Sequence, residues 1–141
     1  MKKRHDLNIL LVDDDSIDRE LFIEALRQSQ LNCSVSEASG GEEALSYLQS
    51  TQTLPNLVIL DLNMPLKDGR ETLRDIKSDK NFKHIPVVIL STSNSHFDVL
   101  QAYQSGASLF FEKPHDFEQL TEMLKTLVGL AQNYVSFART T

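Results

Sequence analysis

Asp61 closes an apolar run, Leu57-Val58-Ile59-Leu60, and Asp13 and Asp14 close another, Ile9-Leu10-Leu11-Val12. A short apolar run ahead of a turn reads as a buried parallel strand, so each acid sits at the carboxyl edge of a sheet, where open α/β folds collect their ligands. Carboxylates gathered there repel one another unless a hard cation lies among them, and Mg²⁺ takes one or two carboxylates with carbonyls and waters. A third run, Val87-Val88-Ile89-Leu90, ends in Ser91, and a fourth, Leu109-Phe110-Phe111, leads to Lys113. Taken singly, each of these polar residues is also the type that caps a helix or closes a turn. Taken together at one edge, they supply a cation site, a hydroxyl donor and an ammonium around one strand-end aspartate. Those are the charges that forming an acyl phosphate requires.

The elements that must place them alternate in period. Strand one, Ile9 to Val12, is followed by a helix with Ser16 as its expected N-cap and an apolar stripe of Ile17, Leu21, Phe22, Ala25 and Leu26. Cys33 to Ala38 reads as a short strand near an edge, and Gly40-Gly41 precedes a helix carrying Ala44, Leu45 and Leu48. After strand three, Leu57 to Leu60, comes a loop that Pro65 and Gly69 shape, then a helix through Thr72, Leu73 and Ile76. Strand four, Val87 to Leu90, leads through a hydroxyl-rich loop to a helix with Val99, Leu100 and Tyr103, and Gly106 is placed as its C′ residue. Strand five, Leu109 to Phe111, a Lys113-Pro114 turn and a last helix capped by Asp116 complete the pattern. Five strands alternating with five helices predict a doubly wound parallel sheet between two helical layers.

Bulk properties narrow the function classes. The 141 residues suit one domain, and 40% apolar with 24% charged residues fits a globular protein. The net charge of −6 with scattered Lys and Arg disfavours nucleic-acid binding. No apolar segment long enough for a signal or a membrane span follows the basic start, and the lone Cys33 offers no internal disulfide, so a reduced cytoplasmic setting is expected. His5, His84, His96 and His115 lack metal-ligand spacing and read as surface residues. Asp15 reads as a solvated turn residue.

Asp13-Asp14, Asp61 with Asn63-Met64-Pro65 and Gly69, then Ser91, then Lys113-Pro114 resemble the receiver domains of two-component response regulators, over about residues 7–131. The resemblance implies a flavodoxin-like fold, strand order 2-1-3-4-5, in a single receiver domain with residues 132–141 as an extension. It implies Asp61 as acceptor of a phosphoryl group from a sensor histidine kinase or phosphotransfer protein. Mg²⁺ would be bound by Asp14, Asp61 and the Asn63 carbonyl, with Asp13 acting through water. Lys113 would pair with Asp61 and then with a phosphoryl oxygen, and Pro114 would follow through a cis bond. The resemblance implies that the protein is not an enzyme but a phosphoacceptor with self-phosphorylation and slow self-dephosphorylation activity only. Ser91 resembles the switch hydroxyl and Phe110 the switch aromatic. Asn63 and Ser93 resemble the positions that tune self-dephosphorylation.

Output by contact is expected, because no second domain follows. In the last helix Leu120, Met123, Leu127, Leu130, Tyr134 and Phe137 recur at three and four spacing. Met123, Leu130, Tyr134, Val135 and Phe137 are candidates to overhang the core and bury against a second copy. An extended apolar last helix also resembles the single-domain regulators that partner phytochrome-type histidine kinases. Three rivals remain. A haloacid-dehalogenase-like phosphatase needs a second acid where Asn63 stands, and a flavodoxin-type flavin binder would not put three carboxylates in its phosphate loop. A degenerate receiver, binding partners without phosphorylation, is disfavoured because the acids, the hydroxyl and the lysine are all present.

Overall fold

The computed structural model describes the backbone of residues 7–140 and the side chains of residues 7–133. Its elements run β1 (Leu7–Val12), α1 (Ser16–Gln28), β2 (Cys33–Ala38), α2 (Gly41–Ser50), β3 (Leu57–Leu60), α3 (Gly69–Ser78), β4 (Val87–Ser91), α4 (His96–Gln104), β5 (Leu109–Glu112) and α5 (Phe117–Thr140). All neighbouring strands pair in parallel, in the order β2-β1-β3-β4-β5, the expected flavodoxin-like topology.

Because side chains alternate across a strand, each central strand feeds two cores. Leu10, Val12, Val58, Leu60, Val87 and Ile89 face α2, α3 and α4, where they meet Ala44, Leu48, Leu73, Ile76 and Ala102. Leu7, Ile9, Leu11, Leu57, Ile59, Val88 and Leu90 face α1 and α5, where they meet Phe22, Leu26, Leu124, Leu127 and Val128. Burial on both faces explains why β1, β3 and β4 read as unbroken apolar runs. Edge strand β2 is the weaker pattern, with only Ala38 fully buried.

Two local details differ from expectation. The N-cap of α1 is Asp15 rather than Ser16: the Asp15 carboxylate accepts from the backbone N–H groups of Ile17 (2.9 Å) and Asp18 (3.3 Å). Both residue types cap helices, and here the acid's reach to two orphan donors, with its favourable charge at a helix N-terminus, decides the boundary. The Lys113–Pro114 bond, implied to be cis, is trans, as are all peptide bonds among the described residues. Only about 0.5–1 kcal/mol separates the isomers of an X–Pro bond, so the local sequence does not dictate which one is found.

Two glycines are required by their surroundings. Gly106 has φ +108° and ends α4 in the left-handed region, as its C′ placement predicts. A Cβ on Gly69 would lie 2.1 Å from the Asp61 carbonyl oxygen and 2.6 Å from Leu62 Cα, so α3 starts where no side chain fits against the end of β3.

Candidate functional site

Strand register brings the acids together. Val12 pairs with Leu60, so the chain leaves both central strands at one level, and the Asp61 N–H donates to the Val12 carbonyl at 3.0 Å. Ser91 pairs with Glu112 on the same edge, and the Lys113 N–H donates to the Ser91 carbonyl at 2.8 Å. Carboxylate oxygens of Asp13, Asp14 and Asp61 lie within 4.8 Å of one another. Asp13 and Asp61 are buried and Asp14 is exposed, so the cluster opens to solvent on one side.

Lys113 holds these charges together. Its Nζ lies 3.0 Å from Asp13 Oδ2, 3.0 Å from Asp18 Oδ2 and 3.5 Å from Asp61 Oδ2. Burial opposes the ammonium charge, but the hydrogen bonds it donates to Asp13 and Asp18 and the nearby negative charges outweigh burial and hold the Lys113 pKa above its ordinary value. Asp61 is the looser partner: Oδ1 accepts from the Asn63 N–H at 3.2 Å, and the Lys113 contact is long. Burial pushes the Asp61 carboxyl up to about 6, with Lys113 pulling it down and Asp13 pushing it further up. At neutral pH Asp61 is therefore predominantly ionised yet poorly solvated, which is the state of a nucleophilic carboxylate or a metal ligand. An all-oxygen donor set with this spacing suits a hard divalent cation, not a soft one.

Asp13 is already shared, its Oδ1 accepting from the Asp15 N–H at 2.9 Å and its Oδ2 facing Lys113. Asn63 and Ser91 meet across the pocket: the fully buried Ser91 hydroxyl oxygen accepts from Asn63 Nδ2 at 3.3 Å and from the Ser93 N–H at 3.1 Å. The Ser93 hydroxyl donates to the Asp98 carboxylate. Phe110 is half-buried against the α2–α4 core, and its N–H donates to the Tyr103 hydroxyl at 3.1 Å. Pro65 lies in the loop that carries Met64 into the core. In α5, Met123 packs against the α1–α5 core rather than overhanging it, whereas Leu130 is exposed. The side chains of Tyr134, Val135 and Phe137 lie outside the described residues.

Sequence reading missed three participants. Asp18 reaches Lys113 from the first turn of α1, a contact invisible without knowing that α1 passes the β5–α5 loop. Arg19 Nη1 donates to the Asp13 carbonyl at 2.5 Å and its Nε to Glu37 at 2.9 Å, bracing the loop after β1. A cleft of about 260 Å³ beside the acids is lined by Asp18, Leu21, Lys113, Pro114 and Phe117. No helix among the described residues is long and apolar enough to cross a membrane.

The chain is similar to known proteins in sequence and fold. The family model for the response regulator receiver domain matches residues 9–125. Response regulator Rcp1 of Synechocystis is 36% identical over 122 residues, spanning 83% of this chain and 83% of that protein. The phosphorylated cyanobacterial phytochrome response regulator RcpA has a similar structure, with a TM-score of 0.80 at 38% identity, covering 87% of this chain and 91% of that one. The Mn(2+)-bound form of Rcp1 gives a TM-score of 0.77 at 35% identity, covering 86% and 91%. With the sheet order, the acidic edge and these matches in agreement, the chain belongs to the response regulator receiver domain family.

Proposed function

We propose that this protein is a phosphorylation-switched receiver in which Asp61 accepts a phosphoryl group from a sensor histidine kinase. The observation that carries the reading is the convergence of Asp13, Asp14 and Asp61 within 4.8 Å, with Lys113 and Ser91 on the same sheet edge. An Asp61 carboxylate oxygen attacks the phosphorus of a phosphohistidine. The P–O bond forms as the P–N bond breaks, and the imidazole leaves. Asp14, Asp61 and the Asn63 carbonyl would hold Mg²⁺, with Asp13 assisting through water, and the ion would supply positive charge against the repulsion between these acids and the phosphoryl oxygens.

The protein's own groups do the rest. Lys113 exchanges its long contact to Asp61 for a phosphoryl oxygen, and Ser91, whose oxygen accepts from Asn63 Nδ2, turns its O–H to donate to another. Reversal is hydrolytic: water attacks phosphorus, the Asp61 O–P bond breaks and inorganic phosphate departs, with Asn63 and Ser93 flanking the approach. Phe110, tied through its backbone to Tyr103 on α4, links the pocket to an outer face where Phe97, Leu100 and Tyr103 are exposed. That face is the surface offered to a downstream protein. A phytochrome-type kinase as the donor draws support from the likeness to RcpA, a cyanobacterial phytochrome response regulator. A homodimer through α5 draws on exposed Leu130 and the apolar residues Tyr134, Val135 and Phe137 beyond it.

The test is intact-mass spectrometry after incubation with Mg²⁺ and acetyl phosphate, beside an Asp61→Asn variant. A single labile phosphoryl adduct that needs Mg²⁺ and is missing from the variant supports the reading. If neither acetyl phosphate nor a histidine kinase produces an adduct, a phosphorylation-independent binding module replaces it.

A further inference from the structure

The loop after β4 is fastened from its far side by a chain of polar contacts. Ser91 is fully buried, and its hydroxyl oxygen is engaged by Asn63 Nδ2 and by the N–H of Ser93 in its own loop. The Ser93 side chain does not continue toward Asp61; its hydroxyl donates to Asp98 in the first turn of α4. The Asp98 N–H in turn donates to Ser95 Oγ at 3.1 Å, so Asp98 is fixed by the cap of its own helix. From α3, Arg70 Nη2 lies 3.2 Å from Asp98 Oδ1 and Arg70 Nη1 lies 3.6 Å from Asp68 Oδ2. Asp68 is the N-cap of α3, its carboxylate accepting from the Glu71 N–H at 3.1 Å. The Ser93 hydroxyl and the Arg70 guanidinium together hold the Asp98 carboxyl below its ordinary range, as expected of a side chain that accepts in its charged form.

Arg70 thus ties together the two loops that flank Asp61. Residues 62–68 follow the acceptor and end at Asp68, and residues 92–95 follow Ser91 and end at Ser95. Accepting from the Ser93 N–H does not use the Ser91 O–H, but it fixes where the Ser91 oxygen lies; turning that oxygen toward a phosphoryl group strains the bond, and Ser93 is anchored through Asp98 to Arg70.

We propose that Arg70 and Asp98 are positioning residues of the phosphoacceptor site: by holding Ser93 they keep Ser91 committed to its own loop, and so set the ease with which the site closes on a phosphoryl group. This rests on the phosphoacceptor reading and adds to it a control point on α3 and α4 that touches none of the reacting atoms. Arg70 is partly exposed and outside both cores, so its replacement leaves the packing of α3 on Leu73 and Ile76 intact.

The experiment titrates beryllofluoride, a phosphoryl mimic, into the full-length protein at saturating Mg²⁺, followed by fluorine NMR. The proteins are wild type, Arg70→Gln, Arg70→Lys, Ser93→Ala and the double variant Arg70→Gln/Ser93→Ala. Severing a partly exposed ion pair shifts a two-state equilibrium by a few-fold at most, so half-saturation should fall roughly threefold in Arg70→Gln. Arg70→Lys should recover most of the wild-type value. The double variant should fall no further than the stronger single one, since both cut one chain of contacts. Mg²⁺ affinity without beryllofluoride should stay unchanged, which a general loss of structure would not permit. Unchanged or weaker beryllofluoride binding in Arg70→Gln, with wild type binding normally, overturns the inference. Failure of wild type itself to bind overturns the phosphoacceptor reading and this inference with it.

Discussion

Replacing Asp61 by asparagine should stabilise the metal-free protein at pH 8, and the gain should vanish below about pH 4. Asp61 is only 5% exposed, and burial raises its pKa from 3.8 to about 6. A raised acid holds its proton more tightly in the folded chain than in the unfolded one. Stability is therefore lost as the pH climbs between those two values, and above the upper one the full penalty of a buried charge is present. The values lie roughly two pH units apart, and at about 1.4 kcal/mol per unit the penalty is about 3 kcal/mol. The attraction of Lys113 is already inside that figure, because it is one of the opposing causes of the shift. Asparagine keeps the shape and removes the charge, while Lys113 retains Asp13 and Asp18 at 3.0 Å each. The assay is urea unfolding of both proteins in EDTA at several pH values from 4 to 8, compared as differences so that other titrations cancel. Added Mg²⁺ should narrow the gap at pH 8 by binding the wild type more strongly. A variant less stable than wild type at pH 8, or a difference that ignores pH, would refute the argument that Asp61 carries an uncompensated buried charge.

Three further outcomes follow from single contacts. Lys113→Ala removes the ammonium that shares the acidic cluster, so Mg²⁺ affinity by calorimetry should rise roughly fivefold to tenfold; unchanged affinity would show that Lys113 does not compete with the cation. Gly69→Ala drives a methyl group into the Asp61 carbonyl, which it would approach to 2.1 Å, and should cost about 3 kcal/mol in denaturant unfolding with a matching loss of phosphorylation. Leu66 is fully exposed with φ +64°, a conformation that costs an ordinary residue about 1 kcal/mol, so Leu66→Gly should raise the melting temperature by a few degrees without altering Mg²⁺ binding.

The order of elements and the acidic edge were legible because both depend on local rules. Parallel strands buried on two faces must be apolar runs, and every such run delivers the residues that follow it to the same edge, so Asp13, Asp61, Ser91 and Lys113 group together from sequence alone. Contacts set by how one helix lies against a distant loop were not legible. Asp18 looks like an ordinary first-turn acid, and only the packing of α1 beside the β5–α5 loop turns it toward Lys113. Arg70 and Asp98 are likewise unremarkable in sequence, 28 residues apart, and meet only because α3 and α4 begin at neighbouring points above the sheet. Ser16 and Asp15 are both competent caps, and the choice between them rests on where two backbone donors point. Met123 belongs to a stripe that fits a seam between copies as well as a core, and the packing of α5 against the sheet places it, partly buried, against the core.

The central claim is that one carboxylate, Asp61, receives the phosphoryl group. Its most direct test is to phosphorylate the protein with acetyl phosphate and Mg²⁺, reduce it with borohydride, and sequence the peptides by mass spectrometry. An aspartyl phosphate is reductively cleaved to homoserine while free carboxylates are untouched. Homoserine at position 61, absent without phosphodonor or without Mg²⁺, is the predicted result. Homoserine at position 13 or 14, or at none of the acidic positions, would contradict the account.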